Sequence, residues 1–162
     1  MQINNDFTIP QTVTRLDATR EQIDSAIDLF SRNHIVAAIT LAASAEHVLS
    51  DMSKSLGIPT FFELFQKDFE SIHSSHGGSK KFYAWRQEIY DWLRHADRQP
   101  EQVQVISPDE ALMLIMAAIT TYLGLGGQKT VAMETFYGNW QRCGLFSSKS
   151  QPVQPSSFAG IR

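Results

Sequence analysis

The segment Tyr90-Asp91-Trp92-Leu93-Arg94-His95-Ala96-Asp97 holds the residue types best suited to chemistry in this chain. Asp91 and His95 are i and i+4, so on a helix they share a face. On a wheel centred on the apolar side, His95 sits at the edge, about 100° away. A carboxylate beside an imidazole favours the imidazolium and brings its proton exchange near physiological pH. Such a pair can serve as a general acid or base. The plainer alternative is a surface histidine near a helix C-terminus, where the dipole favours a cation. Arg94 and Tyr90 flank the pair and are candidate binding residues.

Glu46 is the second candidate. It follows nine mostly apolar or small residues, so a buried position is expected. A buried carboxylate must be paired or protonated, and Arg94, Arg86 or His47 could pair with it. The bland reading is a structural ion pair or a carboxylate at the helix rim. His47 with Asp51 is another i, i+4 pair, and His73 and His76 flank two serines before Gly77-Gly78. Neither set has the spacing of a metal site, so neither metal nor cofactor is expected. Cys143 lacks an activating neighbour, and no Ser-His-Asp arrangement can be nominated. The run Gly124-Leu125-Gly126-Gly127-Gln128-Lys129-Thr130 lacks the preceding strand and the spacing of a phosphate loop, and reads as a helix stop. Lys80, Lys81, Arg86, Arg94 and Arg98 interleave with Phe82, Tyr83, Trp85 and Trp92. Cations among aromatics can grip single-stranded nucleic acid, but these aromatics fall at core spacing.

The elements that must position these residues are helical. Six helical signals and almost no strand signal run along the chain. Ile23, Ala26, Ile27 and Phe30 give one apolar face to a helix over about Ala18–Asn33. The next, about His34–Leu56, is apolar on nearly every side up to Ala45 and stops at Gly57 and Pro59. Thr60 with Glu63 forms a capping box for a third helix, with Phe61, Leu64, Phe65, Phe69 and Ile72 expected inward. A fourth covers about Lys80–Ala96. Ser107, Pro108 and Glu110 open the fifth with a second capping box. The sixth, about Thr130–Arg142, is expected to bury Val131, Met133, Phe136, Tyr137 and Trp140. Short connections favour antiparallel neighbours, so the expected fold is an all-α, up-and-down bundle of five or six helices. The second and fifth should form its centre.

The 162 residues suit one domain, and 43% hydrophobic with 19% charged residues excludes a disordered chain. A single cysteine excludes an internal disulfide framework. The net charge of −3 argues against coating nucleic acid by bulk charge. Residues 1–17 read as an N-terminal arm, 18–146 as the bundle and 147–162, with Pro152 and Pro155, as a flexible tail. The N-terminus lacks a basic region followed by an apolar run, and the most apolar stretch, Ala111–Leu125, is short for a membrane span. A soluble, cytoplasmic protein without a membrane partner is expected.

Three segments carry a resemblance. Ala37-Ala38-Ile39-Thr40-Leu41-Ala42-Ala43-Ser44-Ala45-Glu46 resembles the AITLAGAAEE helix of small bacterial helical-bundle proteins related to the HEPN superfamily. Leu93-Arg94-His95-Ala96-Asp97 resembles their LKHAD segment. Ser107-Pro108-Asp109-Glu110-Ala111, with Ala117-Ala118-Ile119-Thr120-Thr121-Tyr122, resembles their acidic start and RAIENY helix. The resemblance covers roughly residues 18–142 and implies a compact homodimeric bundle. HEPN ribonucleases carry an Arg, four to six residues and then a His. His95 matches the His and Asp91 the polar position, but the allowed Arg positions hold Tyr90, Ile89 and Glu88. Arg86 lies nine residues before His95, on the opposite helix face.

The resemblance without that Arg implies a homodimeric, HEPN-like protein that acts by binding a protein, RNA or nucleotide partner, leaning away from an enzyme. The first alternative is a degenerate, metal-independent ribonuclease of the toxin or defence type, with His95 as acid/base and Asp91 beside it. The second is a structural subunit of a larger assembly.

Overall fold

The computed structural model describes residues 12–65 and 105–143. The expectations for the N-terminal arm before residue 12, for the helix over about 80–96 and for the tail lie outside the described residues. Among the described residues the chain is all α-helical, a helical bundle.

Helix α1 spans Arg15–Ser31. It starts earlier than the expected Ala18 because Thr14 is its N-cap: the Thr14 hydroxyl oxygen accepts from the Asp17 amide at 3.0 Å and its proton goes to the Asp17 carboxylate at 2.6 Å. That reciprocal pair satisfies an amide that a helix end leaves without a partner. Ile23 and Ala26 are fully buried on its inner face. Asn33 then takes a left-handed φ of 63°, one of the few side chains to do so at small cost.

Helix α2 spans Ile35–Leu56 and ends on Gly57, whose φ of 67° is the left-handed cap that glycine adopts without strain. Its inner stripe, Ala38, Ile39, Ala42, Ala45 and Leu49, is fully buried, while Val36 and Thr40 face outward. The expectation of an all-round apolar helix thus resolves into one buried face of small residues. By length and composition α2, with a mean hydropathy of 1.3, could cross a membrane. In this fold that inner stripe packs in the protein core.

Helix α3 begins at residue 61 and is described to residue 65. The expected capping box is present: the Glu63 amide donates to the Thr60 hydroxyl at 3.2 Å and the Thr60 amide to the Glu63 carboxylate at 2.8 Å. Its inward residue is Phe62, 2% exposed, whereas Leu64, expected inward, is 37% exposed. Phe61 and Phe65 stack on each other beside the core instead.

Helix α4 spans Pro108–Gly124 and carries the second capping box, with the Ser107 amide donating to the Glu110 carboxylate at 2.9 Å. It buries Ala111, Ile115, Ala117 and Ala118 completely. The glycine run ends it: the Gly126 and Gly127 amides turn back to the carbonyls of Leu123 and Tyr122. Helix α5 spans Val131–Cys143. Met133 and Phe136 face inward, but Val131 and Tyr137, also expected inward, are 80% and 40% exposed. A helix of this length with one flank against α1 can bury only one stripe, and Met133 with Phe136 occupies it.

α2 packs between α1 and α4, α4 also touches α1, and α5 lies against α1. Among the described residues, the two helices expected at the centre supply most of the core. Each fully buried Ile or Leu there contributes about 1.5–3 kcal/mol relative to exposure.

Candidate functional site

Tyr90, Asp91, Arg94 and His95 lie outside the described residues, as does Arg86. Glu46 lies within them. It is 3% exposed on the inner face of α2, and its Oε1 accepts the Ser50 hydroxyl proton at 2.6 Å. Ser53, one turn further and fully buried, continues the stripe, and its hydroxyl makes no hydrogen bond. A helical repeat places positions i, i+4 and i+7 on one side, which is why the three polar groups line up inward. His47, considered above as a partner of Glu46, is not on that side. The next residue along a helix turns about 100° away, and His47 instead reaches the exposed Asp51 at 3.9 Å.

A second feature joins three helices. α1, the first turns of α4 and α5 enclose an open groove of about 760 Å³. Ile27 and Phe30 of α1, Pro108 and Leu112 of α4, and Val131, Phe136 and Trp140 of α5 form its apolar surface. Phe30 meets Phe136 edge to face, with ring centroids 5.8 Å apart. Such edge-to-face pairs contribute about 0.5–1.5 kcal/mol beyond their buried area.

Thr130 holds Asp24, one of the groove's lining residues. Its hydroxyl oxygen accepts from the Met133 amide at 3.2 Å, capping α5, and its proton goes to Asp24 of α1 at 2.6 Å. One side chain therefore starts α5 and ties it to α1.

Among the described residues, the charged groups lining the groove are Asp24 and Asp28 on α1 and Asp109 in the first turn of α4. Arg32 pairs with Asp28 at 3.0 Å from outside the lining. The groove hydroxyls are already committed: Ser31 donates to the Asp28 carbonyl at 2.7 Å and Thr135 to the Val131 carbonyl at 2.9 Å. This set of groups can hold an apolar body with positive charge at its edges. It offers no hydroxyl aimed at a bound molecule.

None of the groove carboxylates was a candidate site residue in the sequence, and Asp109 entered only as part of the acidic start of its helix. The signal was the i, i+4, i+7 run Asp24, Asp28 and Ser31 beside the apolar Ile27 and Phe30, which places a polar edge along an apolar face. No family model, no curated protein and no solved structure matches this chain.

Proposed function

We propose that this chain is a homodimeric, HEPN-like helical module of the cytoplasm that acts by holding a partner rather than by catalysis. The observation that carries the reading is the groove between α1, α4 and α5, with its apolar floor, carboxylate edges and helix-committed hydroxyls. Of the expected partners, a protein suits this face better than RNA or a nucleotide. Asp24, Asp28 and Asp109 would repel phosphates, whose attraction to cations dominates nucleic-acid affinity. The homodimer and the HEPN likeness rest on the three sequence segments.

The test is incubation of the full chain with a labelled RNA pool, beside His95→Ala. The reading predicts intact RNA with both proteins. Robust cleavage that disappears in His95→Ala would overturn it in favour of the ribonuclease. Light scattering checks the assembly: a mass of twice 18.2 kDa is expected, and a species of 18.2 kDa at high concentration contradicts the dimer.

A further inference from the structure

We infer that the groove between α1, α4 and α5 docks a basic amphipathic segment of a partner protein, its apolar side on Phe30, Leu112 and Val131 and its lysines or arginines against Asp24, Asp28 and Asp109. The inference rests on the binding-module reading and names the chemistry of the partner.

Two independent observations carry it. The first is shape and polarity. At about 760 Å³ the groove exceeds what one apolar side chain fills, and it is partly open to solvent. Val131 stands at its edge 80% exposed, on a helix whose Met133 and Phe136 are buried. An amphipathic helix laid in such a groove covers this surface with residues spaced i, i+3, i+4 and i+7.

The second observation is charge. Among the described residues, the ionisable side chains lining the groove are all carboxylates, and they stand on two different walls: Asp24 and Asp28 on α1, Asp109 on α4. A segment with an apolar stripe flanked by cations meets both walls at once. An acidic segment meets like charge on each side, and like-charge juxtaposition rejects partners strongly. Arg32 offsets part of the Asp28 charge, which leaves Asp24 and Asp109 as the main attraction. Asp24 keeps its place through the Thr130 hydroxyl, so its carboxylate is oriented before any partner arrives.

The experiment uses the full chain and two synthetic helical peptides of about 14 residues, roughly 21 Å long. One carries leucines at i, i+3, i+4 and i+7 with lysines elsewhere; the other has glutamate in place of every lysine. Calorimetry at low salt reads the affinity. The lysine peptide is expected to bind, to weaken as salt rises, and to bind at least about tenfold more tightly than the glutamate peptide. Asp24→Asn/Asp109→Asn and, separately, Val131→Lys are each expected to weaken it about fivefold or more. Val131 is exposed, so Val131→Lys leaves the core intact, and an unchanged circular dichroism spectrum and melting temperature verify that each variant is folded.

Equal binding of both peptides, no binding of either, or undiminished binding by both folded variants would overturn the inference. RNA that binds the wild type and binds Val131→Lys more tightly would overturn the protein partner while leaving the binding-module reading in place. Cleavage of RNA dependent on His95 would instead defeat that reading itself.

Discussion

Gly127 closes the end of α4 directly over the ring of Tyr122. Its amide donates to the Tyr122 carbonyl at 3.0 Å, and a Cβ at residue 127 would overlap Cδ1, Cε1 and Cζ of that ring. Tyr122 is 3% exposed, so the ring has no room to retreat. Gly127→Ala is therefore expected to destabilise the fold by about 1–3 kcal/mol, as overpacking does. Gly124→Ala is the control. A Cβ there meets nothing within 4 Å, so the change is neutral or stabilises by up to about 1 kcal/mol. Chemical denaturation separates the two, and equal losses would contradict the close approach.

Ala42 lies fully buried on the inner stripe of α2. Small side chains there let α1 and α4 approach on either side. Ala42→Leu adds three carbons where no space is left and should destabilise by about 1–3 kcal/mol. An unchanged melting temperature would show that α2 is not packed between its neighbours.

The buried polar stripe on α2 predicts opposite effects for neighbouring residues. Glu46→Ala removes the acceptor of the Ser50 hydroxyl and should cost about 1–3 kcal/mol. A double-mutant cycle with Ser50→Ala should return a coupling of about 0.5–3 kcal/mol. Ser53→Ala removes a buried hydroxyl that has no partner, so stability should hold or rise. Loss of stability in Ser53→Ala similar to that in Glu46→Ala would refute this division.

The pairing of Thr14 with Asp17 predicts an acid dependence. The Thr14 hydroxyl, then its backbone amide and the Arg20 guanidinium, hold the Asp17 carboxyl below the ordinary carboxylate range. A group whose folded-state value is lowered stabilises above its unfolded value, and that contribution fades as pH falls through the folded one. Thr14→Val should move the Asp17 titration upward and flatten this part of the acid dependence. Carboxyl-carbon NMR titration reads it directly, and an unmoved Asp17 would contradict the capping account.

The parts of this fold visible in the sequence are those decided within a few residues. Thr60 with Glu63, and Ser107 with Pro108 and Glu110, are short-range capping chemistry, and the structure contains both boxes. Gly57 and the 124–127 run mark helix ends for the same local reason. The inward face was less legible where two faces are nearly equal in hydrophobicity. Phe62 is chosen over Leu64, and Met133 with Phe136 over Val131 and Tyr137, by the helices they meet. Only the α1 wall of the groove left a trace in the sequence, and the groove itself was not legible. Its walls are far apart in the chain, and the bond that ties them, Thr130 to Asp24, spans 106 residues. Burial of Glu46, by contrast, followed from the apolar run before it.

The most direct test of the account is backbone amide NMR of the full chain titrated with the leucine–lysine peptide. The account predicts shift changes concentrated on residues 24–31, 108–112 and 131–140, the three walls of the groove. Changes centred on the outer face of α2 around Val36 and Thr40, or no changes at saturating peptide, would contradict it.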